Sequence, residues 1–186
     1  MLIIEGPDNS GKSTLVRNLA EDLHIPYQHS EGPWESRRDL LESLEDIDIK
    51  NSSDDYFIQD RYPLISELIY QPILRPDDVM VDIATQPERS YWKKIFKMEF
   101  LVVCIPPVER ILDEVSLSLQ PKKIQDHIGN IYESYRNFVH MIKGQEIRLF
   151  VYDWTIPWHY RMLKLAIQGY YDNDVAARNL EPEHHI

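Results

Sequence analysis

Gly6, Gly11, Lys12 and Ser13 stand at the spacing Gly-x4-Gly-Lys-Ser, within Gly6-Pro7-Asp8-Asn9-Ser10-Gly11-Lys12-Ser13. A chain of phosphates is held by several backbone N–H groups aimed at it at once, and only a loop with little side-chain bulk wraps closely enough to do so. A Lys ammonium beside such a loop reaches the β- and γ-phosphates, and a neighbouring Ser hydroxyl is a Mg²⁺ ligand. Gly6, Asn9, Ser10, Gly11, Lys12, Ser13 and Thr14 are therefore expected to hold Mg-ATP, with Ser13 on the metal.

Asp60-Arg61 closes the run Tyr56 to Gln59 and is the second candidate. A carboxylate at a strand end beside the phosphate loop can hold Mg²⁺ directly or through water, and the adjacent guanidinium can grip a phosphate in two-pronged fashion. Asp8 is unusual, because an acid inside the loop repels phosphate unless it faces elsewhere; it either faces the acceptor substrate or caps the loop by bonding a nearby N–H. Glu5 is either a base or metal ligand or a strand-end carboxylate bonded to backbone. Lys122 and Lys123, beside Pro121, sit in a connection that could close over ATP and neutralise the moving phosphoryl group. Arg110 competes for that role. Trp34, Tyr62 and Tyr70 flank the candidate segments and can stack on a base, whereas Tyr132 and Tyr135 read as packing residues. His29 is placed to line the acceptor pocket.

These residues need a frame that brings them together. Leu2 to Glu5 reads as a buried strand, followed by a helix from near Lys12 to Leu23. Ile25 to His29 reads as a strand, Glu35 to Leu44 as a helix, and Tyr56 to Gln59 as a strand. Pro87 to Lys97 reads as a helix with Pro in its first turn, Phe100 to Ile105 as a strand, and Val108 to Leu119 and Ile124 to Ile142 as helices. Ile147 to Tyr152 makes a fifth strand, and Pro157 to Gln168 a last helix. Alternation of this kind, with the phosphate loop directly after the first strand, predicts an α/β fold in three layers, a P-loop NTPase fold with a mainly parallel five-stranded sheet flanked by helices and ligands at the strands' carboxyl ends. Residues 1–171 form one domain with a lid near 116–126, and 172–186 read as a polar tail without periodicity.

The 186 residues are 43% hydrophobic, enough for one core and too few for two ordinary enzyme domains. Lys and Arg number 20 against 31 Asp and Glu, a formal charge of −11. That excludes a broad basic face for wrapping duplex DNA, though not a small basic channel. The one cysteine, Cys104, lies in an apolar run and reads as a core thiol. No stretch approaches the roughly 20 apolar residues that span a bilayer, and the first apolar run ends at Glu5. A soluble cytoplasmic protein with no membrane partner is the expectation.

The run Ile3 to Thr14 resembles the opening of the thymidylate kinase family, Glu-Gly-x-Asp-x-x-Gly-Lys-Ser/Thr-Thr, and Asp60-Arg61-Tyr62 resembles that family's Asp-Arg-aromatic motif. Pro63 to Tyr70, His29 to Pro33 and the stretch Asn130 to Tyr135 look more like the small thymidylate-kinase-like proteins of bacteriophages, whose setting is the infected bacterial cytoplasm. The resemblance implies transfer of the γ-phosphoryl group of ATP to a deoxynucleoside monophosphate. It assigns Arg61 to the acceptor phosphate, Asp60 to Mg²⁺ and acceptor, and Asp8 to the acceptor sugar. It also implies a possible homodimer. One alternative is the same chemistry on 5-hydroxymethyluracil within DNA. Another, of a different class, is a nucleotide-binding switch without transfer, favoured by the absence of Arg from the P-loop and from Ile111 to Tyr135.

Overall fold

The computed structural model describes residues 1–30, 32–52, 56–78, 86–115, 120–145 and 147–178. Strands β1 (Leu2–Glu5), β2 (Tyr27–His29), β3 (Ile58–Asp60), β4 (Phe100–Cys104) and β5 (Arg148–Tyr152) make one sheet in the order β2-β3-β1-β4-β5. All its pairings are parallel. The helices among the described residues are α1 (Lys12–Leu23), α2 (Arg37–Ser52), α3 (Pro63–Leu74), α4 (Gln86–Met98), α5 (Val108–Val115), α6 (Lys122–Ile142) and α7 (His159–Arg178).

Side chains alternate across a strand, so the central strands, apolar on both faces, feed two cores. Ile3, Leu101 and Val103 pack on one face with Leu40 and Leu44 of α2, Leu64 and Ile65 of α3, and Ile131 and Phe138 of α6. Leu2, Ile4, Val102 and Cys104 pack on the other with Leu15 and Leu19 of α1 and Leu163 and Ile167 of α7. The result is the three-layer α/β fold expected, with Cys104 fully buried as a core thiol.

Several boundaries differ from the sequence reading. α2 continues to Ser52 because Ile47 extends its buried stripe beyond Leu44. α3 has no counterpart among the expected elements. Lys122 and Lys123 are not a connection but the first turn of α6, entered from Pro121. α7 runs to Arg178, so the segment expected as a polar tail begins helical; 179–186 lie outside the described residues. Residues 116–119 of the expected lid also lie outside them. Among the described residues no helix is long and apolar enough to cross a membrane.

Candidate active site

The parallel register sets the carboxyl ends of the strands in a row. His29 pairs with Asp60 across β2 and β3, and Asp60 with Ile4 across β3 and β1, so the loop after β1 lies beside the Asp60-Arg61 turn. A cleft of about 1110 Å³ opens there, lined by residues Asp8 to Thr14, by His29, Trp34, Asp60, Arg61 and Tyr70, and across the sheet by Tyr152 and Trp154.

The loop has the backbone its glycines permit. Gly6 has φ 145°, and a Cβ there would meet the Cys104 carbonyl oxygen at 2.5 Å. Gly11 has φ 85°, with the Trp154 ring 3.0 Å from where its Cβ would stand. α1 starts at Lys12, so its unpaired N–H groups and positive dipole end face the cleft. Lys12 Nζ donates to the Pro7 carbonyl at 2.5 Å. Burial, with Arg61 acting in the same sense, brings the Lys12 ammonium down to about 8. Asn9 Nδ2 and Ser10 Oγ are buried without a partner. Two orphaned groups able to donate, a buried ammonium and a helix N-terminus fit a bound polyphosphate.

Asp60 is a buried carboxylate with its oxygens unequally engaged. Oδ2 lies 3.0 Å from His29 Nδ1, whereas Oδ1 is buried without a partner. A lone carboxylate oxygen in the same cleft as the exposed Ser13 hydroxyl fits a hard divalent cation. No cluster of three or more His, Cys, Asp or Glu suited to a metal occurs among the described residues, so further ligands would come from phosphate and water.

Arg61 leaves the strand with φ 66° and becomes a hub. Its Nη2 donates to Asp8 Oδ1 at 2.7 Å and its Nη1 to the Tyr70 hydroxyl at 3.1 Å. Tyr70 in turn donates to Asp8 Oδ2 at 2.8 Å. Burial pushes the Asp8 carboxyl up, but Arg61, Lys12 and the Tyr70 hydroxyl together outweigh it and hold the group below its ordinary value. Asp8 is thus paired with Arg61 rather than capping the loop alone. Behind this pair Glu5 is fully buried. It accepts from the Tyr62 N–H at 2.6 Å, the Ser66 hydroxyl at 3.1 Å and the Tyr135 hydroxyl at 2.8 Å. Burial raises its carboxyl against the opposing pull of Arg61. Of the readings open for Glu5, the bonded strand-end carboxylate is the one that matches.

A third charged group lines the cleft beyond Tyr70. Arg75 donates through Nη2 to Glu67 Oε2 at 2.5 Å and through Nη1 to the Trp34 carbonyl at 3.0 Å. Trp34 lines the cleft. Tyr62 does not: it is 3% exposed and packs in the core on the α2, α3 and α6 face. β3 ends at Asp60, and the chain turns at Arg61 through positive φ before α3 begins, which sets Arg61 in the cleft and Tyr62 in the core. Lys123 lines the cleft, Lys122 is exposed and does not, and Arg110 is exposed on α5 outside it. Glu67, Arg75, Tyr135 and Trp154 were not among the candidates. Only Trp154, two residues past a strand end, carried a positional signal.

No family model matches the chain, and no curated protein sequence matches it. Solved structures do. The YorR protein of Bacillus subtilis, solved in complex with phosphorylated GDP, is 20% identical with a TM-score of 0.59, over 100% of this chain and 99% of that one. The deoxyadenosine kinase of M. mycoides with the products dCMP and dCDP is 11% identical with a TM-score of 0.60, over 90% of this chain and 98% of that one. The same kinase with bound dCTP is 14% identical with a TM-score of 0.55, over 91% and 100%. At these identities the likeness establishes a shared fold.

Proposed function

We propose that this chain is a Mg²⁺-dependent phosphotransferase that moves the γ-phosphoryl group of ATP to an acceptor of the deoxynucleoside class. The observation that carries the reading is a single cleft with the phosphate loop on one wall and the Asp60-Arg61 strand end on the next. Its volume of about 1110 Å³ exceeds the roughly 300–1,000 Å³ of an ordinary small-molecule pocket and leaves room for donor and acceptor together. The kinase structures that share the fold carry deoxynucleotide ligands, which supports an acceptor of that class.

Lys12, Asn9, Ser10 and the first N–H groups of α1 bind the phosphates and neutralise charge that builds between donor and acceptor. Asp60 and Ser13 would hold Mg²⁺, which supplies charge neutralisation and orientation of the phosphates when bound. Trp154, lying against Gly11, offers a flat surface at the donor end, and Lys123 a cation at the start of α6. On the acceptor wall Asp8, Arg61, Tyr70, Trp34 and His29 fix the second substrate. Most of the acceleration in such a site comes from alignment, because little covalent work falls to the protein.

The test is transfer from γ-labelled ATP with Mg²⁺ to a panel of deoxynucleosides, deoxynucleoside monophosphates and hydroxymethyluracil-containing DNA. Label in any one of these supports the reading and names the acceptor. ATP binding with no labelled acceptor would sink it in favour of a nucleotide-dependent switch.

A further inference from the structure

The last helix, α7, has two unlike faces. Leu163, Ile167 and Tyr170 bury one of them against the sheet and α1. On the other, Trp158, Met162 and Leu165 are 64%, 53% and 55% exposed. Their spacing of i, i+4 and i+7 sets three large apolar side chains in one stripe. The Met162 N–H bonds the Trp158 carbonyl at 3.0 Å, which keeps Trp158 in the helical course although α7 itself begins at His159. The next position on the stripe is Gly169, also exposed. Glycine is a poor helix former, and a Cβ there would meet nothing within 4 Å, so no packing inside the chain requires its missing side chain. Exposed apolar residues scattered singly are ordinary on a protein surface, whereas a row of three that ends in a notch marks a contact.

Charges flank the row. Arg161 and Asp172 are exposed, and neither has an ion pair among the described residues. They are eleven residues apart, which is three helical turns, so they lie on one line along α7 separated by about 16 Å. Asp172 stands at the rim of a hollow of about 680 Å³ that Leu23, Pro26, Tyr56 and Tyr171 also line. The face thus offers a cation at one end, an acid beside a hollow at the other, and apolar side chains between. Turned end for end, it is complementary to itself, which is the requirement of a twofold interface. Lys164, the neighbouring cation, is already held by Asp22 at 2.7 Å. Arg161 alone is no footing for nucleic acid or an anionic membrane, both of which need clustered positive charge.

We infer that the outer face of α7 is a docking surface for a second copy of this chain, with the two helices antiparallel about a twofold axis at Leu165. In that register Leu165 meets its own counterpart, and Met162 fits over the notch at Gly169 of the second copy. Trp158 and Arg161 of one copy flank Asp172 of the other, and symmetry makes each contact twice. The Arg161 stem lies across the mouth of the hollow while its guanidinium pairs with the carboxylate. Trp and Arg are the side chains that most often dominate the energy of such interfaces. No residue of α7 lines the nucleotide cleft among the described residues, so the inference stands apart from the phosphotransferase reading.

Sedimentation equilibrium of the full chain, loaded from about 1 to 100 μM, reads the mass in the range where standard interfaces begin to hold. Expected is a monomer–dimer equilibrium that Leu165→Glu and Arg161→Glu each weaken at least tenfold, roughly the effect of losing one good contact. Asp172→Arg should do the same, whereas the double variant Arg161→Glu/Asp172→Arg, which restores opposite charges across the axis, should recover association to within about threefold of wild type. Ile49→Glu, at an apolar side chain 65% exposed on α2, serves as the control and should leave the equilibrium unchanged. All four positions are exposed, so circular dichroism and thermal unfolding at low concentration should match wild type. A monomer at every concentration would overturn the inference, as would a dimer that survives Leu165→Glu or that Ile49→Glu dissociates. Failure of the charge exchange to recover association would overturn the register, and a mass climbing beyond two chains would overturn the twofold axis.

Discussion

On the donor wall of the cleft Asn9 Nδ2 and Ser10 Oγ stand without partners, whereas on the acceptor wall Arg61, Asp8, Tyr70, Glu67 and Arg75 are already matched to one another. Groups left unpaired near a helix N-terminus favour an incoming anion, because their desolvation cost is met by the ligand. Groups that satisfy each other favour a ligand that fits between them without displacing them. The contrast separates a wall that binds by charge from one that binds by shape.

Lys12→Ala tests that contrast most severely. Loss of the buried ammonium should lower turnover about 10³-fold, while thermal unfolding stays near wild type because the chain also loses a cation held at the cost of desolvation. A comparable fall in melting temperature would make Lys12 a structural residue. Gly6→Ala should act on the fold instead. Its Cβ would stand 2.5 Å from a backbone carbonyl at φ 145°, so a loss of about 3 kcal/mol is expected in denaturant unfolding. Gly11→Ala meets only the movable ring of Trp154 and should cost about 1 kcal/mol.

On the other wall, Asp8→Asn should cost about 2 kcal/mol at pH 7, as expected for a charge-assisted bond. Because the folded state holds the Asp8 carboxyl below its ordinary 3.8, the ionised form stabilises the fold above that value, and the contribution is lost as pH falls below it. The difference in stability between wild type and Asp8→Asn should therefore shrink below about pH 4, measured by urea unfolding across pH. A constant difference would remove Asp8 from the matched set. Smallest of all, Tyr62→Phe should leave the acceptor KM within about twofold of wild type, since its ring lies in the core and away from the cleft.

The same contrast governs what the sequence disclosed. The donor wall is one continuous loop between an apolar strand and an amphipathic helix, so eight adjacent residues carried both its identity and its place, and α1 begins and ends where expected. The acceptor wall is assembled from distant segments. Glu5 and Tyr135 are 130 residues apart, and nothing in either neighbourhood announces the other. Glu67 and Arg75 are eight residues apart and meet only because α3 carries the chain two turns between them. That helix escaped notice because it is apolar on most sides and holds Pro63 and Pro72, which mask a helical period. Tyr62 was misplaced for a related reason, as adjacency to Arg61 in sequence says nothing of direction once the backbone turns through positive φ.

Cys104 sits directly beneath the phosphate loop, its Cβ 3.1 Å from where a side chain on Gly6 would begin. It is the chain's one thiol, and burial pushes it up to about 12. A soluble alkylating reagent can therefore reach it only when strand and loop part, so the labelling rate is a clock for that opening. A nucleotide that binds only the closed loop slows the clock by the factor 1 + [L]/Kd. The molecule thus carries its own timer, one that reports occupancy without any acceptor being known.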